Sequence, residues 1–275
     1  MNNIEFYFQH LCEYYNVTIQ DAIELSTRKT GRKPNLPRSK TCDAVSGMNL
    51  EEIWDLEKRE SEQSIFKFYK DQGAWSAFRQ CMRLSQSVGA YQNYLLNVLE
   101  RLDTQFKIGR TVSICEYGCG VAPYSFLLLN ILKPEIKINL YISDVDCEHL
   151  NFGEWRLNKI KESRKLDNLK IIKKVVEPNS LPTYEDKLDA VFIFEVLEHV
   201  PSPVSTSKNL IKQMDDKGLF LENFVKHEDD KGGPDLSSAK KERSDYLDYL
   251  DKNLNLFIGD PENKSPNGTR VWVKK

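Results

Sequence analysis

From residue 111 onwards, short apolar runs alternate with longer segments in which apolar residues recur every three or four positions. The short runs are typical of buried β-strands and the longer segments of amphipathic helices. The pattern predicts seven strands, at 111–116, 137–143, 169–176, 188–194, 217–224, 254–258 and 269–274. It predicts helices between them, at 123–132, 147–163, 203–214 and 237–250.

Strands that alternate with helices form a parallel sheet covered by those helices. The last two predicted strands are joined only by residues 259–268, which are rich in Pro and Asn and contain no helical pattern. Strands joined in this way form an antiparallel hairpin. The prediction is therefore an α/β fold with five parallel strands closed by a hairpin.

The first 105 residues have a helical pattern throughout and no β-rich run. Residues 3–15 are amphipathic, and Thr18-Ile19-Gln20-Asp21 has the form of a capping box at the start of a second helix. Further helices are predicted from Asn49 to Gly73, over 75–84 and over 88–102. We expect two regions: a helical extension over 1–105, which caps a cleft or forms a homodimer face, and an α/β domain over 106–275.

The first strand of the α/β region runs into Glu116-Tyr117-Gly118-Cys119-Gly120, and an apolar helix follows. Glycine suits a turn that needs positive φ or that lets a ligand approach the backbone closely. The start of the following helix offers unpaired N–H groups to a ligand carboxylate or phosphate. A glycine turn without a ligand is the alternative. Pro123 stands where a dinucleotide fingerprint would have its third glycine, and Glu116 would repel a diphosphate.

Glu116-Tyr117-Gly118-Cys119-Gly120 resembles motif I of the class I S-adenosylmethionine-dependent methyltransferases. The segment 188–201, LDAVFIFEVLEHVP, resembles the strand and loop that this superfamily carries about 75 residues later. The resemblance covers residues 106–275. It implies a seven-stranded Rossmann-like sheet in the order 3-2-1-4-5-7-6, with the last strand antiparallel, and S-adenosyl-L-methionine as the cofactor.

The resemblance also implies roles for individual residues. The segment from Glu116 through Tyr117, Gly118 and Cys119 to Gly120 would hold the methionine end. Asp144, followed by Val145, would accept hydrogen bonds from the ribose hydroxyls, and Asp146 is a competing choice that fits a helix cap better. Glu177 would contact the adenine amino group. Phe194 and Glu195 would border the methionine part and the adenine.

The residues of the acceptor side are less specific. His199 is either a structural histidine or the base of the reaction. The loop over 225–236 contains His227, a second candidate base, and three acids that could orient it, contact the substrate or bind a metal: Asp229, Asp230 and Asp235. A metal site is not expected here. The basic loop over 28–40, which includes Arg32 and Lys33, is either a solvated connector or a lid that recognises an anionic substrate.

The composition narrows the choice of function. A net charge of −2 gives no general attraction to nucleic acid or anionic membrane. No signal peptide and no apolar run of about 18 residues is found, and six cysteines lack zinc-like pairing, so a cytoplasmic protein is expected. The expected function is methyl transfer to an O or N atom of a small acceptor, for which an anionic molecule is one candidate. The alternatives are an RNA or protein methyltransferase and a catalytically idle cofactor-binding subunit; a nicotinamide dehydrogenase is disfavoured.

Overall fold

The computed structural model describes residues 3–27, 61–70, 77–78, 80–82, 94–103, 109–224, 235–260 and 268–275. The strands are β1 (Val112–Tyr117), β2 (Ile138–Asp144), β3 (Leu169–Val175), β4 (Leu188–Ile193), β5 (Met214–Glu222), β6 (Leu254–Ile258) and β7 (Arg270–Lys274). The helices are α1 (Asn3–Tyr15), α2 (Ile19–Thr27), α3 (Glu62–Lys70), α4 (Pro123–Ile131), α5 (Glu148–Ser163), α6 (Pro203–Gln213) and α7 (Ser237–Asn253). A short 3₁₀ helix covers Leu197–His199.

The seven strands form one sheet in the order β3-β2-β1-β4-β5-β7-β6. β1 to β5 are parallel, and β7 is antiparallel to both β5 and β6. The predicted sheet is thus confirmed, including its C-terminal hairpin. The strand order reverses between β1 and β4, which places the expected ligand cleft at the carboxyl end of β1.

Most element boundaries lie within one residue of the predicted ones, and the start of β5 is the clearest exception. Residues 214–216 are predicted as the end of a helix and a connection, whereas β5 already begins at Met214. Met214 pairs with Leu188, and the register then shifts before Ala190 pairs with Leu219. The first part of β5 is therefore irregular and contains three polar residues. Because of them, the hydrophobic pattern does not show where the strand begins.

The described part of the first 105 residues is helical, as predicted. Thr18 and Asp21 form the expected capping box, since the N–H of each residue donates to the side chain of the other at 3.1 Å. The remaining predicted helical residues, at 49–60, 71–73, 75–76, 79, 83–84 and 88–93, lie outside the described residues. None of the helices in the described ranges is long and apolar enough to cross a membrane.

The N-terminal helices share a hydrophobic core with one face of the sheet. Phe8, Tyr15 and Phe78 are fully buried and pack with α5, where the ring of Phe152 stacks 6.1 Å from that of Tyr15. The Tyr15 hydroxyl donates to Glu148 at the start of α5. α3 packs into a second core on the other face. The boundary at residue 105 stays a prediction, but apolar packing crosses it extensively.

A buried ion pair joins β5 to β7. Arg270 donates from Nε and Nη2 to the two oxygens of Glu222, at 2.6 and 2.9 Å, and from Nη2 to the Phe224 carbonyl at 2.7 Å. Trp272 Nε1 and the Phe224 N–H also donate to Glu222. Both charged side chains are fully buried, so each depends on the other for compensation.

We expect Arg270→Met to lower the free energy of unfolding by about 3–5 kcal/mol, because it leaves the Glu222 carboxylate buried without its cation. Urea denaturation measures the loss. The double variant Glu222→Gln/Arg270→Met should recover part of it, since no uncompensated charge remains.

The matched control is Lys173→Met, which removes a pair with Glu154 on the partly exposed surface and should cost less than about 1 kcal/mol. Equal losses for Arg270→Met and Lys173→Met would contradict the importance assigned to the buried pair.

Candidate functional site

The carboxyl end of β1 leads into a tight turn, residues 118–122, which we call the glycine turn. Gly118 and Gly120 have φ values of 63° and 50°. A Cβ on Gly118 would lie 2.4 Å from Cγ2 of Val196, which follows β4. Glycine is therefore required at 118 for two reasons, the backbone conformation and the close approach of the β4 end.

The glycine turn is tied to the end of β2. The Ser143 carbonyl accepts hydrogen bonds from the N–H groups of Gly118 (2.7 Å) and Cys119 (3.1 Å). Asp144 Oδ2 accepts from the Gly120 N–H at 2.6 Å, and its Oδ1 accepts from the Val145 N–H at 2.7 Å. Burial raises the pKa of Asp144 to about 6. The ends of β1, β2 and β4 thus meet around the turn.

Glu116 points into the protein and caps α4. Its carboxylate accepts from the N–H groups of Tyr124 (3.3 Å) and Ser125 (2.7 Å), the second and third residues of the helix, and the residue is 2% exposed. Burial raises the pKa of Glu116 to about 7, opposed by these hydrogen bonds and by the charge of Arg156. The carboxylate faces the helix start and is buried, so a direct role of Glu116 in holding a ligand stays a prediction.

The expectation of unpaired N–H groups at this helix start is wrong. Gly118 and Cys119 donate to Ser143, Gly120 to Asp144, and Tyr124 and Ser125 to Glu116. The two others donate to the Cys119 carbonyl (Ala122, 2.7 Å) and to Oε1 of Gln80 (Val121, 3.3 Å). Pro123 has no N–H. All of these N–H groups are therefore paired within the protein, and none of them is presented to an anion.

Arg156 lies beneath the turn and is fully buried. Its guanidinium donates to the Val121 carbonyl and, through Nη1, to Cys81 Sγ at 3.9 Å. Its Cζ lies 4.4 Å from the centre of the Phe126 ring. This one cation therefore links the glycine turn, α4, α5 and a residue of the helical extension.

The end of β4 is held by β5. Glu195 has a φ of 56°, which is unfavourable for a residue with a side chain. The Asn223 side chain compensates, since its Oδ1 accepts from the Glu195 N–H at 2.7 Å and its Nδ2 donates to the Glu195 carboxylate. Phe194 is buried, and its ring lies 4.4 Å from that of Tyr124 in α4. Both predicted residues thus lie directly before Val196, the residue that approaches Gly118.

His199 lies three residues beyond Val196, whose carbonyl accepts its N–H. Its Nε2 is 3.7 Å from Oε1 of Glu198, and its ring centre is 6.2 Å from that of Tyr69 in α3. Burial, followed by the charge of Glu195, raises the pKa of Glu198 to about 8. The Leu236 N–H donates to the Glu198 carbonyl and brings Asp235, which pairs with Arg243, to the same place.

The other predicted site residues differ in burial, and some of them lie outside the described residues. Tyr117 and Val145 are buried beside the turn, whereas Glu177 is exposed just beyond β3, at the same edge of the sheet as Asp144. Asp146 is exposed, and its carboxylate lies 3.8 Å from Lys70 Nζ. Five candidates fall outside the described residues: Arg32, Lys33, His227, Asp229 and Asp230. The described ranges contain no group of three potential metal ligands.

Sequence reasoning missed four residues of this site. Arg156 was detectable, because Phe152, Arg156 and Ile160 follow one another at helical spacing and the other two are apolar. Asn223 was detectable as a polar residue directly after an apolar strand. Glu198 was read only as part of a motif, without a role of its own. Gln80 had no signal, since only the fold brings it to the turn.

No protein-family model matches the sequence, and no curated protein matches it. The strand order 3-2-1-4-5-7-6, with β7 antiparallel, is the one implied by the resemblance stated above. The fold is that of a class I methyltransferase.

Solved structures similar to this chain include an O-methyltransferase family protein from Burkholderia thailandensis, 12% identical, covering 96% of this chain and 86% of that one with a TM-score of 0.47. A SAM-dependent methyltransferase from Aquifex aeolicus is 19% identical over 64% of this chain and 87% of that one, with a TM-score of 0.42. The [4+2]-cyclase SpnF is 14% identical over 62% and 60%, with a TM-score of 0.41. The strand order, rather than these likenesses, identifies the class I methyltransferase fold.

The contact between Gly118 and Val196 can be tested by comparing two glycines. Gly109 has a φ of 71° and no atom of the described residues within 4 Å of an added Cβ, so Gly109→Ala should cost only the conformational penalty, about 1 kcal/mol. Gly118→Ala adds the overlap with Val196, and we expect a total cost of about 2–4 kcal/mol.

In the Val196→Ala background, Gly118→Ala should cost much less and approach the cost of Gly109→Ala in the wild type, because only the Cβ of residue 196, 3.1 Å from the added Cβ, remains close. Urea denaturation of the five proteins measures each value. An unchanged cost of Gly118→Ala in that background would show that Val196 is not the obstacle.

Proposed function

We propose that this protein is an S-adenosylmethionine-dependent methyltransferase that acts in the cytoplasm on an O or N atom of a small-molecule acceptor. The observation that carries the proposal is the meeting of three strand ends. Gly120 is hydrogen-bonded to Asp144 of β2. Val196, which follows β4, occupies the space that a Cβ on Gly118 would need. In open α/β sheets, ligands bind at this point, where the strand order reverses.

The charges around the glycine turn fit a sulfonium nucleoside better than a dinucleotide. Asp144 lies at the turn, and Glu116 lies directly behind it. Two carboxyl groups oppose a diphosphate, and the N–H groups that would bind one are already occupied within the protein. This also disfavours a nicotinamide cofactor. Each oxygen of Asp144 accepts one backbone N–H and keeps a lone pair for a ribose hydroxyl.

S-adenosylmethionine, when bound, supplies a methyl group on a positively charged sulfur. The protein has to align donor and acceptor and to exclude water. The glycine turn would hold the amino-acid end, Asp144 the ribose, and Phe194 and Glu177 the adenine. α3 and the segment around Gln80 lie over this edge of the sheet, where they would shield the reacting groups from solvent.

His199 is the proposed base for the acceptor. The backbone bond from its N–H to the Val196 carbonyl fixes it close to the glycine turn, and Glu198 lies beside its ring. The nearby carboxyl groups of Glu195 and Asp235 favour a neutral or cationic group at the reacting end of the acceptor. An anionic end would need cations from elsewhere, such as Arg32 and Lys33. His227 stays a second candidate base.

We expect Asp144→Ala to weaken S-adenosylmethionine binding by more than about a hundredfold, because two hydrogen bonds to a charged acceptor are lost. Isothermal titration measures the dissociation constant, and circular dichroism checks the fold. Asp146→Ala is the matched control, since that carboxylate is exposed two residues away, and its effect should stay within about twofold. Unchanged binding in Asp144→Ala would remove Asp144 from the site.

We expect His199→Ala to lower kcat for methyl transfer by about a hundredfold or more, with cofactor binding changed less than about twofold. Transfer is measured with a tritiated methyl donor and a panel of phenols, carboxylic acids and amines. Equal activity of wild type and His199→Ala would exclude His199 as the base. Cofactor binding by the wild type, without transfer to any acceptor in the panel or in RNA and protein extracts, would favour the idle subunit.

Glu198→Gln gives a pH test of the same pair. Because the pKa of Glu198 is raised to about 8, its carboxyl is neutral at pH 7, and Gln should reproduce it there to within a few-fold. Above pH 8 the wild type acquires a negative charge beside His199, which strengthens a base, so its rate should rise relative to that of Glu198→Gln. Parallel pH–rate profiles from pH 6 to 9 would contradict this.

A further inference from the structure

Gln80, from the helical extension, lies directly on the glycine turn. Its Oε1 accepts the hydrogen bond of the Val121 N–H at 3.3 Å. An added Cβ on Gly120 would lie 2.6 Å from that oxygen and 3.3 Å from Gln80 Nε2. The second glycine of the turn therefore makes room for this side chain, which belongs to a region outside the α/β domain predicted from the sequence.

The hydrogen bond decides which way the Gln80 amide faces. A backbone N–H can be accepted only by the amide oxygen, so the NH₂ group has to occupy the other position. Nε2 has no hydrogen-bond acceptor in the described part of the chain, and the side chain is only partly buried. Gln80 thus presents two unused N–H donors beside the turn.

These donors stand out because the glycine turn itself offers none. Its N–H groups bind Ser143, Asp144, Cys119 and Gln80, and those of the next helical residues bind Glu116. The carboxyl groups of Asp144 and Glu116 suit the ammonium of an amino acid, but they oppose its carboxylate. An amino-acid carboxylate at this turn therefore needs a donor from outside it.

We propose that Gln80 is that donor: its NH₂ group binds the carboxylate of the amino-acid part of S-adenosylmethionine. The inference rests on the proposed function and adds a residue of the helical extension to the cofactor site. Arg156 supports the arrangement, because its guanidinium binds both the Val121 carbonyl of the turn and Cys81, the residue after Gln80.

The test compares two ligands that differ only in the amino-acid part. S-adenosylhomocysteine carries the carboxylate, whereas 5′-methylthioadenosine has the same nucleoside and a thioether but no amino acid. Gln80→Glu keeps the size and an oxygen for Val121 but replaces the donor with a second acceptor. We expect its dissociation constant for S-adenosylhomocysteine to rise at least about tenfold, and that for 5′-methylthioadenosine to stay within about twofold.

Gln80→Ala should give the same selectivity with a smaller loss, because it removes the donor without adding a charge. Gln9→Glu is the control, since it makes the same substitution at an exposed position of α1, and it should change neither affinity. Isothermal titration of the four proteins with both ligands gives the values.

Equal weakening of both ligands in the Gln80 variants would reduce Gln80 to a packing role and overturn the proposal. Tighter binding of S-adenosylhomocysteine by Gln80→Ala would also overturn it, because Gln80 would then obstruct the site. Failure of the wild type to bind either nucleoside would instead count against the proposed function. The two failures are therefore distinguishable.

Discussion

The internal pairing of the N–H groups at the start of α4 is the constraint on which the rest of the site depends. Glu116 binds the helix start, Ser143 and Asp144 bind the glycine turn, and Gln80 binds Val121. β1, β2 and the helical extension are therefore held in one arrangement by hydrogen bonds to a few consecutive residues. A helix start that in other proteins attracts anions is here used to join parts of the chain.

Two buried charges complete that arrangement. Arg156 is fully buried, and a guanidinium stays charged in any protein environment. Its positive charge lowers the pKa of Glu116, against the larger effect of burial. Glu116, which caps the helix, and Arg156, which binds the glycine turn, therefore stabilise each other. The two residues are far apart in the sequence.

The sheet could be predicted because the sequence of each strand by itself has a recognisable hydrophobic pattern. Runs such as Val112–Tyr117 are mostly apolar and are buried throughout, and the segments between them have a helical period. Contacts between distant segments leave no such signature. Glu116 was correctly singled out, but its partners, the N–H groups of Tyr124 and Ser125, cannot be identified from residue types. Gln80 is one glutamine among several, and its role follows only from where the extension packs.

Glu222 at the end of β5 and the next two residues, Asn223 and Phe224, are held by several hydrogen bonds. Glu222 binds Arg270, Asn223 binds Glu195, and the Phe224 carbonyl accepts from Arg270. The sheet before residues 225–234 is therefore held by bonds within the described residues, and on the other side the Leu236 N–H donates to the Glu198 carbonyl. We therefore expect substitutions, insertions or deletions in that stretch to leave the proposed cofactor side undisturbed. For the proposed enzyme, the acceptor specificity could change during evolution through substitutions in about ten residues, with little effect on folding.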